Sequence, residues 1–225
     1  MTNVRVKTKR ISRTSQGDIY RDVECVEYAV EKGGVVEVSK LIFPLVVVLT
    51  QDCDLEQDAR YRTKNVPLPS TDDKRLFAVL VAPLYNAEQV FLGQHLSDLG
   101  MTMSPIQANA TQGKTLKQNE RPRYHYLDFP ADVPIVPSIV DFKHYFSVSR
   151  AHLDKARPKI FVCRLSELFR EDLSQRFAGY LARIGLPEIS HVTNVVSAPS
   201  SPVLAPPPAP SVPDTPPAGS APVTP

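Results

Sequence analysis

Hydrophobic and polar positions in this chain follow no single period, and each change of period marks an element. Residues 45–49, Leu-Val-Val-Val-Leu, form an unbroken apolar run. Because the run is continuous rather than alternating, it predicts a strand covered on both faces, with residues 50–54 emerging where the chain regains water. Residues 76–84 repeat the pattern as Phe77-Ala78-Val79-Leu80-Val81-Ala82, a second buried strand stopped by Pro83. Upstream, Gly17-Asp18 reads as a turn, residues 19–30 are rich in β-branched and aromatic side chains, and Gly33-Gly34 leads into Val35 to form a hairpin. Pro44 removes a ladder donor from the strand over residues 41–50, so the central part of that strand starts after it.

Further along, Asn86 predicts the N-cap of a short helix over residues 87–99, closed by Gly100. Residues 58–74 and 102–120 are polar without period and read as loops. Residues 139–148 alternate, with Val140, Phe142, His144, Phe146 and Val148 on one face and Asp141, Lys143, Tyr145 and Ser147 on the other, which predicts a half-buried strand. Ser149 caps a short helix to Ala156, and residues 159–164 make a last strand. Residues 165–184 predict a long C-terminal helix with Ser166 as N-cap, a stripe of Phe169, Leu173, Phe177, Leu181 and Ile184, and a stop at Gly185 and Pro187. Many short strands and one long helix imply a mainly β, α+β fold: a curled antiparallel barrel with peripheral helices.

Composition changes this picture at both ends. Residues 197–225 hold 11 of the 22 prolines and one charged side chain, Asp214, so no core offsets the entropy of ordering them. That tail reads as disordered, either a solubilising linker or a polyproline II arm that docks a protein partner. Residues 1–15 carry Arg5, Lys7, Lys9, Arg10 and Arg13 without an acid, a basic arm suited to phosphate. Residues 16–196 remain as a single globular domain. Cys25, Cys53 and Cys163 fall in separate predicted strands, with no CxxC pair and no His at ligand spacing, so no disulfide framework is expected, and no cofactor is implied. The chain starts without the apolar core of a signal peptide and has no run near the roughly 18 residues that cross a bilayer, which predicts a cytoplasmic protein without membrane contact.

Two segments carry candidate chemistry. In Gln51-Asp52-Cys53-Asp54, a strand period places both carboxylates on one side and the thiol on the other. Three readings stand side by side: a polar or catalytic site using Asp52 and Asp54 with Gln51 and Cys53 as binding groups, a divalent cation on the carboxylates, or a turn in which the acids accept backbone donors while Cys53 packs inward. The second segment, Arg121-Pro122-Arg123-Tyr124-His125-Tyr126, interleaves cations with rings. Arg121, Arg123, Tyr124 and Tyr126 suit stacking on unpaired bases, and equally suit a strand with packed tyrosines and solvated arginines. His125 is the candidate general acid or base. His144, on an apolar face, reads as a satisfied core histidine.

Gly17-Asp18-Ile19 with its hairpin, Pro44-Leu45-Val46-Val47-Val48-Leu49-Thr50 and Val79-Leu80-Val81-Ala82-Pro83 resemble the strand framework of the MazF/PemK-like toxins over residues 16–86. The resemblance implies an SH3-like barrel and RNA cleavage. In that family the catalytic Arg directly precedes the first Pro, where this chain has Phe43, and the catalytic Thr closely follows the later Pro, where this chain has Leu84, Tyr85 and Asn86. The barrel is therefore expected without the family's catalytic pair, and whether the protein is an enzyme stays open. Gln51-Asp52-Cys53-Asp54-Leu55, Val140-Asp141-Phe142, Leu173-Ser174-Gln175-Arg176-Phe177 and Arg183-Ile184-Gly185-Leu186-Pro187 resemble an uncharacterised bacterial family associated with mobile elements and phage defence. Together these resemblances imply a defence or mobile-element module that binds or cleaves RNA. The alternative is a non-enzymatic adaptor that uses the barrel and the Pro-rich tail for protein contacts.

Overall fold

The structure, a computed structural model, describes residues 3–63 and 72–183. The chain divides into Met1–Ile184 and Gly185–Pro225. The second unit lies outside the described residues, as do the Pro-rich tail and the stop expected at Gly185 and Pro187.

Eight strands make one sheet in the order β1-β8-β2-β3-β4-β6-β5, with β7 also on β4, and every pairing is antiparallel. They are β1 (Val6–Lys7), β2 (Asp18–Lys32), β3 (Val35–Val48), β4 (Ala78–Asn86), β5 (Tyr124–Leu127), β6 (Ser138–Asp141), β7 (Phe146–Ser149) and β8 (Phe161–Leu165). The sheet curls into a half-barrel flanked by helices α1 (Asp52–Thr63), α2 (Ala87–Leu92), α3 (Thr111–Lys117), α4 (Arg150–Ile160) and α5 (Glu167–Leu181), an α+β architecture dominated by antiparallel sheet.

The unbroken apolar run behaves as its pattern demands. Val46 and Val48 join Tyr20, Val81 and Leu153 on one face of the sheet, under α1 and α4. Val47 and Leu49 join Ile19, Ala82, Leu173 and Phe177 on the other, under α5. A third cluster, with Tyr85, Val90, Leu116, Tyr124 and Ile139, packs α2 and α3 on the β4–β6–β5 end. Pro44 lies inside β3 between the pairs Arg21–Leu45 and Val23–Phe43, in line with Asp22 and its left-handed φ of 54°; the register shift of this ladder falls further out, between Val26 and Tyr28, and β3 acquires its second neighbour only from Val46.

Several elements differ from the sequence reading. Pro83 does not stop β4; it falls between the stretch paired with β7, ending at Val81, and the stretch paired with β6, starting at Leu84. The expected hairpin and third strand are one long pair, and beyond Val23 and before Phe43 neither strand has a second partner among the described residues. The alternating stretch over residues 139–148 is broken by a 3-10 turn at Phe142–His144, so Asp141 is buried instead of facing solvent. The helix expected over residues 87–99 ends at Leu92, because Gly93 takes a left-handed φ of 73° against the Met103 carbonyl. The loop over residues 102–120 contains α3, and α4 runs on to Ile160. In α5, Leu173 and Phe177 are buried but Leu181 is 52% exposed, and Ile184 lies outside the described residues.

Candidate functional site

Residues 51–54 do not continue the strand. Leu55 N–H donates to the Gln51 carbonyl at 3.2 Å, and Asp52 is the first residue of α1. Helical rotation therefore sends the three side chains of Asp52, Cys53 and Asp54 in different directions, which corrects the two-sided arrangement expected of a strand. Asp52 turns inward; Gln51, Cys53 and Asp54 are exposed, so Cys53 is not the inward-packed group of the turn reading. The Cys53 thiol reaches only Gln51 Oε1 at 3.6 Å and Asp54 Oδ1 at 3.7 Å.

Asp52 is the hub of a joint between the N-terminal segment and α5. Arg13 donates to both of its oxygens at 2.9 and 3.0 Å, Arg170 donates at 3.2 Å, and the Gln16 amide donates at 3.2 Å. Burial pushes this carboxyl up, but the hydrogen bonds and charge of Arg13, with Arg170 and Gln16, outweigh it and hold Asp52 at about 2. Two turns along α1, fully buried Asp58 accepts from Arg62 Nε at 2.9 Å, Arg150 Nε at 2.9 Å and the Leu76 amide at 2.9 Å. Arg150 also donates to Thr14 Oγ1 at 3.3 Å and to Asp154. Arg157 caps the carbonyls of Ile11 at 2.6 Å and Ser12 at 2.7 Å. The basic segment is thereby bound along the domain, with Val4 buried and Lys9 and Arg10 exposed.

The second candidate segment is divided by the pleat of β5. Tyr124 and Tyr126 face the α2–α3 cluster, whereas His125 and Leu127 face the opposite side, where the His125 ring lies 6.2 Å from that of Phe142. Burial, aided by the Arg176 charge, pushes His125 down to about 3, so it is neutral over the range in which a catalytic imidazole would exchange a proton. Among the described residues neither of its ring nitrogens has a hydrogen-bond partner. The cavity His125 lines, with Val4, Lys117 and Phe169, is not lined by Asp52 or Asp54, so the three candidate catalytic residues are not assembled there.

On the tyrosine side a different group converges. Arg123 grips buried Asp141 with Nε at 2.8 Å and Nη2 at 2.5 Å. Asp141 Oδ2 lies 3.7 Å from His144 Nδ1, and that nitrogen lies 3.1 Å from the Tyr85 hydroxyl, the donor following the imidazole tautomer. The Tyr85 ring also meets His95 edge-on at 4.9 Å. Arg121 and Arg123 both lie over the Tyr124 ring, at 5.3 and 5.0 Å. These groups back a cavity of about 220 Å³ lined by His95, Ser104, Gln112, Arg121, Arg123 and Tyr124, among others. Burial lowers the pKa of His95 and of His144 against the opposing pull of Asp141, which favours neutral imidazoles. Arg121 Nη1 and both nitrogens of His95 are buried without a partner, whereas Tyr85, His144 and Asp141 are all bonded.

Sequence reasoning found Arg121, Arg123 and Tyr124 but missed Tyr85 and His95. Tyr85 sits in a buried strand, and His95 is a lone histidine in a turn; neither carries a local signal, since only the packing of α2 on β4 brings them together. Among the described residues no three His, Cys, Asp or Glu side chains converge as a metal site requires. Among the same residues no helix is long and apolar enough to cross a membrane. Comparison of the chain with family models, curated proteins and solved structures finds no match.

Proposed function

We propose that the protein is an RNA-binding module of a bacterial defence or mobile-element system, built on an SH3-like variant of the half-barrel, and that an unpaired base enters the cavity beside Tyr124. The observation that carries this reading is the unpaired polar lining: Arg121 Nη1 and the two His95 nitrogens are buried without partners beside an open volume of about 220 Å³. Buried polar groups left unpaired cost about 1–3 kcal/mol each, a cost that a bound ligand offsets when the closed Arg121 and His95 side chains turn toward it and find the missing partners. A neutral imidazole offers one donor and one acceptor, and a guanidinium offers donors only, a set that suits the mixed edge of a nucleobase. Arg121 and Arg123, already in cation–π contact with Tyr124, surround a ring suited to a base, and stacking tolerates many sequences.

Fluorescence anisotropy with short single-stranded RNA tests this. Arg121→Ala and Tyr124→Ala should each weaken binding by roughly 5- to 150-fold, the range of about 1–3 kcal/mol per stacked base. Equal affinity for a duplex, or unchanged affinity in both variants, overturns the reading. The same oligonucleotides run on a denaturing gel separate binding from cleavage.

A second reading, the non-enzymatic adaptor, is favoured by the free part of the β2–β3 hairpin, where Val26, Tyr28, Val36 and Val38 are more than half exposed. An edge with unpaired backbone groups and apolar side chains invites an added strand from a protein partner. Val36→Thr with Val38→Thr should abolish function in a cellular defence assay under this reading while leaving RNA affinity intact.

A further inference from the structure

A separate cavity of about 310 Å³ lies between the N-terminal segment, α1 and α4, and five arginines line it: Arg13, Arg60, Arg62, Arg150 and Arg157. Only two carboxylates, Glu56 and Asp154, line it with them. The acids behind the wall do not restore the balance, because Asp58 is shared by Arg62 and Arg150, and Asp52 is shared by Arg13 and Arg170. Guanidinium groups held this close repel one another, and an anion between them relieves that repulsion. Arg150 is buried and fixed by Asp58, Thr14 and Asp154, while Arg157 is fixed by the carbonyls it caps and keeps a buried Nε without a partner. The inner wall is thus pre-formed. At the rim, Arg60 is 70% exposed and pairs with Glu56, itself 40% exposed, a surface pair that exchanges partners at little cost.

We propose that this cavity is a binding site for a phosphate monoester, with the dianion seated between Arg62, Arg150 and Arg157 and with Arg60 turning from Glu56 to close over it. The N–H groups that Arg62, Arg150 and Arg157 do not commit to Asp58, Asp154 and the capped carbonyls give single charge-assisted hydrogen bonds, the fork of Arg60 once turned from Glu56 matches two phosphate oxygens, and a doubly charged group suits a wall with an excess of guanidinium. The monoester is either the 5′ end of a nucleic acid or a free nucleotide. The site shares no lining residue with the cavity beside Tyr124 and does not rest on the RNA reading.

Isothermal titration of the full chain with a nucleoside monophosphate, and anisotropy with 5′-phosphorylated against 5′-hydroxyl RNA of one sequence, separate the two sources. A preference of tenfold or more for the phosphorylated end identifies a nucleic-acid terminus; nucleotide binding without that preference identifies a free nucleotide. Arg60→Glu, at an exposed position that should not disturb folding, should weaken binding at least tenfold. Glu56→Gln should tighten it several-fold by releasing Arg60. Absence of binding to every phosphate probe at low salt, or binding that neither variant changes, overturns the proposal. Lys32→Glu, 68% exposed on the hairpin and outside both cavities, makes the same charge change as Arg60→Glu and should leave the phosphate preference unchanged; a tenfold loss in that variant would show a general charge effect and also overturn the assignment.

Discussion

The acid–arginine joint around Asp52 and Asp58 and the aromatic–histidine cluster around Tyr85 and Tyr124 use much the same chemistry, arginine on carboxylate, and end in opposite states. In the joint both carboxylates are saturated: Asp58 has three donor groups and Asp52 has three. In the cluster the back wall is saturated through Asp141 and His144, but the front retains unpaired nitrogens on Arg121 and His95. Saturated buried polar groups fix geometry, whereas unsatisfied ones beside a cavity carry a cost that a ligand can remove. Ionisable residues alone therefore do not mark a site, and unpaired nitrogens alone do not either, since His125 has two beside its own cavity; the cavity beside Tyr124 adds two guanidinium groups over an aromatic ring.

The largest expected effect tests the structural half of that contrast. Asp58→Ala leaves Arg150 buried at 3% exposure without its main counter-charge, and removing one partner of a buried pair costs about 3–5 kcal/mol. Chemical denaturation should show a loss of that size, with an RNA affinity unchanged for whatever fraction stays folded. Stability close to that of the parent protein would break the contrast, since the joint would then be no more than a decorated surface.

That joint also explains what the sequence concealed. The inward face of α1 carries Asp52, Leu55, Asp58 and Arg62, a helical spacing in which one position is apolar, so hydropathy reads the segment as loop. Its period is legible only once the arginines of α4, α5 and the N-terminal segment are placed around it. By contrast β3 and β4 were legible because burial on both faces leaves an uninterrupted apolar run. Between these cases stands the stretch over residues 139–148: its alternation is real, but Asp141 N-caps a 3-10 turn through the Lys143 amide at 3.0 Å, which diverts the chain and buries the acid. The Arg-Tyr segment was visible as composition. Its cavity was not, because two of its three unpaired nitrogens belong to His95, which tertiary packing supplies.

A second test sharpens the same contrast within the cluster. His95→Phe preserves a ring against Tyr85 and removes the two unpaired nitrogens, so thermal stability should rise or stay level while single-stranded RNA affinity falls several-fold. A loss of stability with unchanged affinity would assign His95 to the structural side.

The pH dependence distinguishes a third environment, that of His125. Its folded pKa lies at about 3, below the ordinary value near 6.5, so between those values the unfolded chain binds more protons than the folded one. Stability from this residue is therefore complete above about pH 6.5 and falls as the pH drops toward 3, with a slope of at most about 1.4 kcal/mol per pH unit. Burial also lowers His95 and His144, which contribute in the same direction. His125→Leu should flatten the curve over that window in urea titrations, and an unchanged slope would show that the histidine does not titrate against folding. The Asp52 contribution falls in a lower window, lost as the pH falls from about 4 through its folded value of about 2.

The smallest expected effect concerns the two residues of the Asp52–Asp54 cluster that face solvent. Cys53 and Asp54 are exposed at the start of α1, and the only bonds of the thiol are long ones to Gln51 and Asp54. Surface changes of this kind usually alter stability by no more than about 0.5 kcal/mol. Cys53→Ser and Asp54→Asn should accordingly denature with the parent protein, which leaves a cellular defence assay to report any chemistry at the helix start free of a folding effect. Full function in both variants would confine activity to the arginine and tyrosine cavities. Loss of function in Asp54→Asn alone, with RNA and phosphate binding intact, would give residues 51–54 a role that saturation does not mark, and would break the contrast at its simplest point.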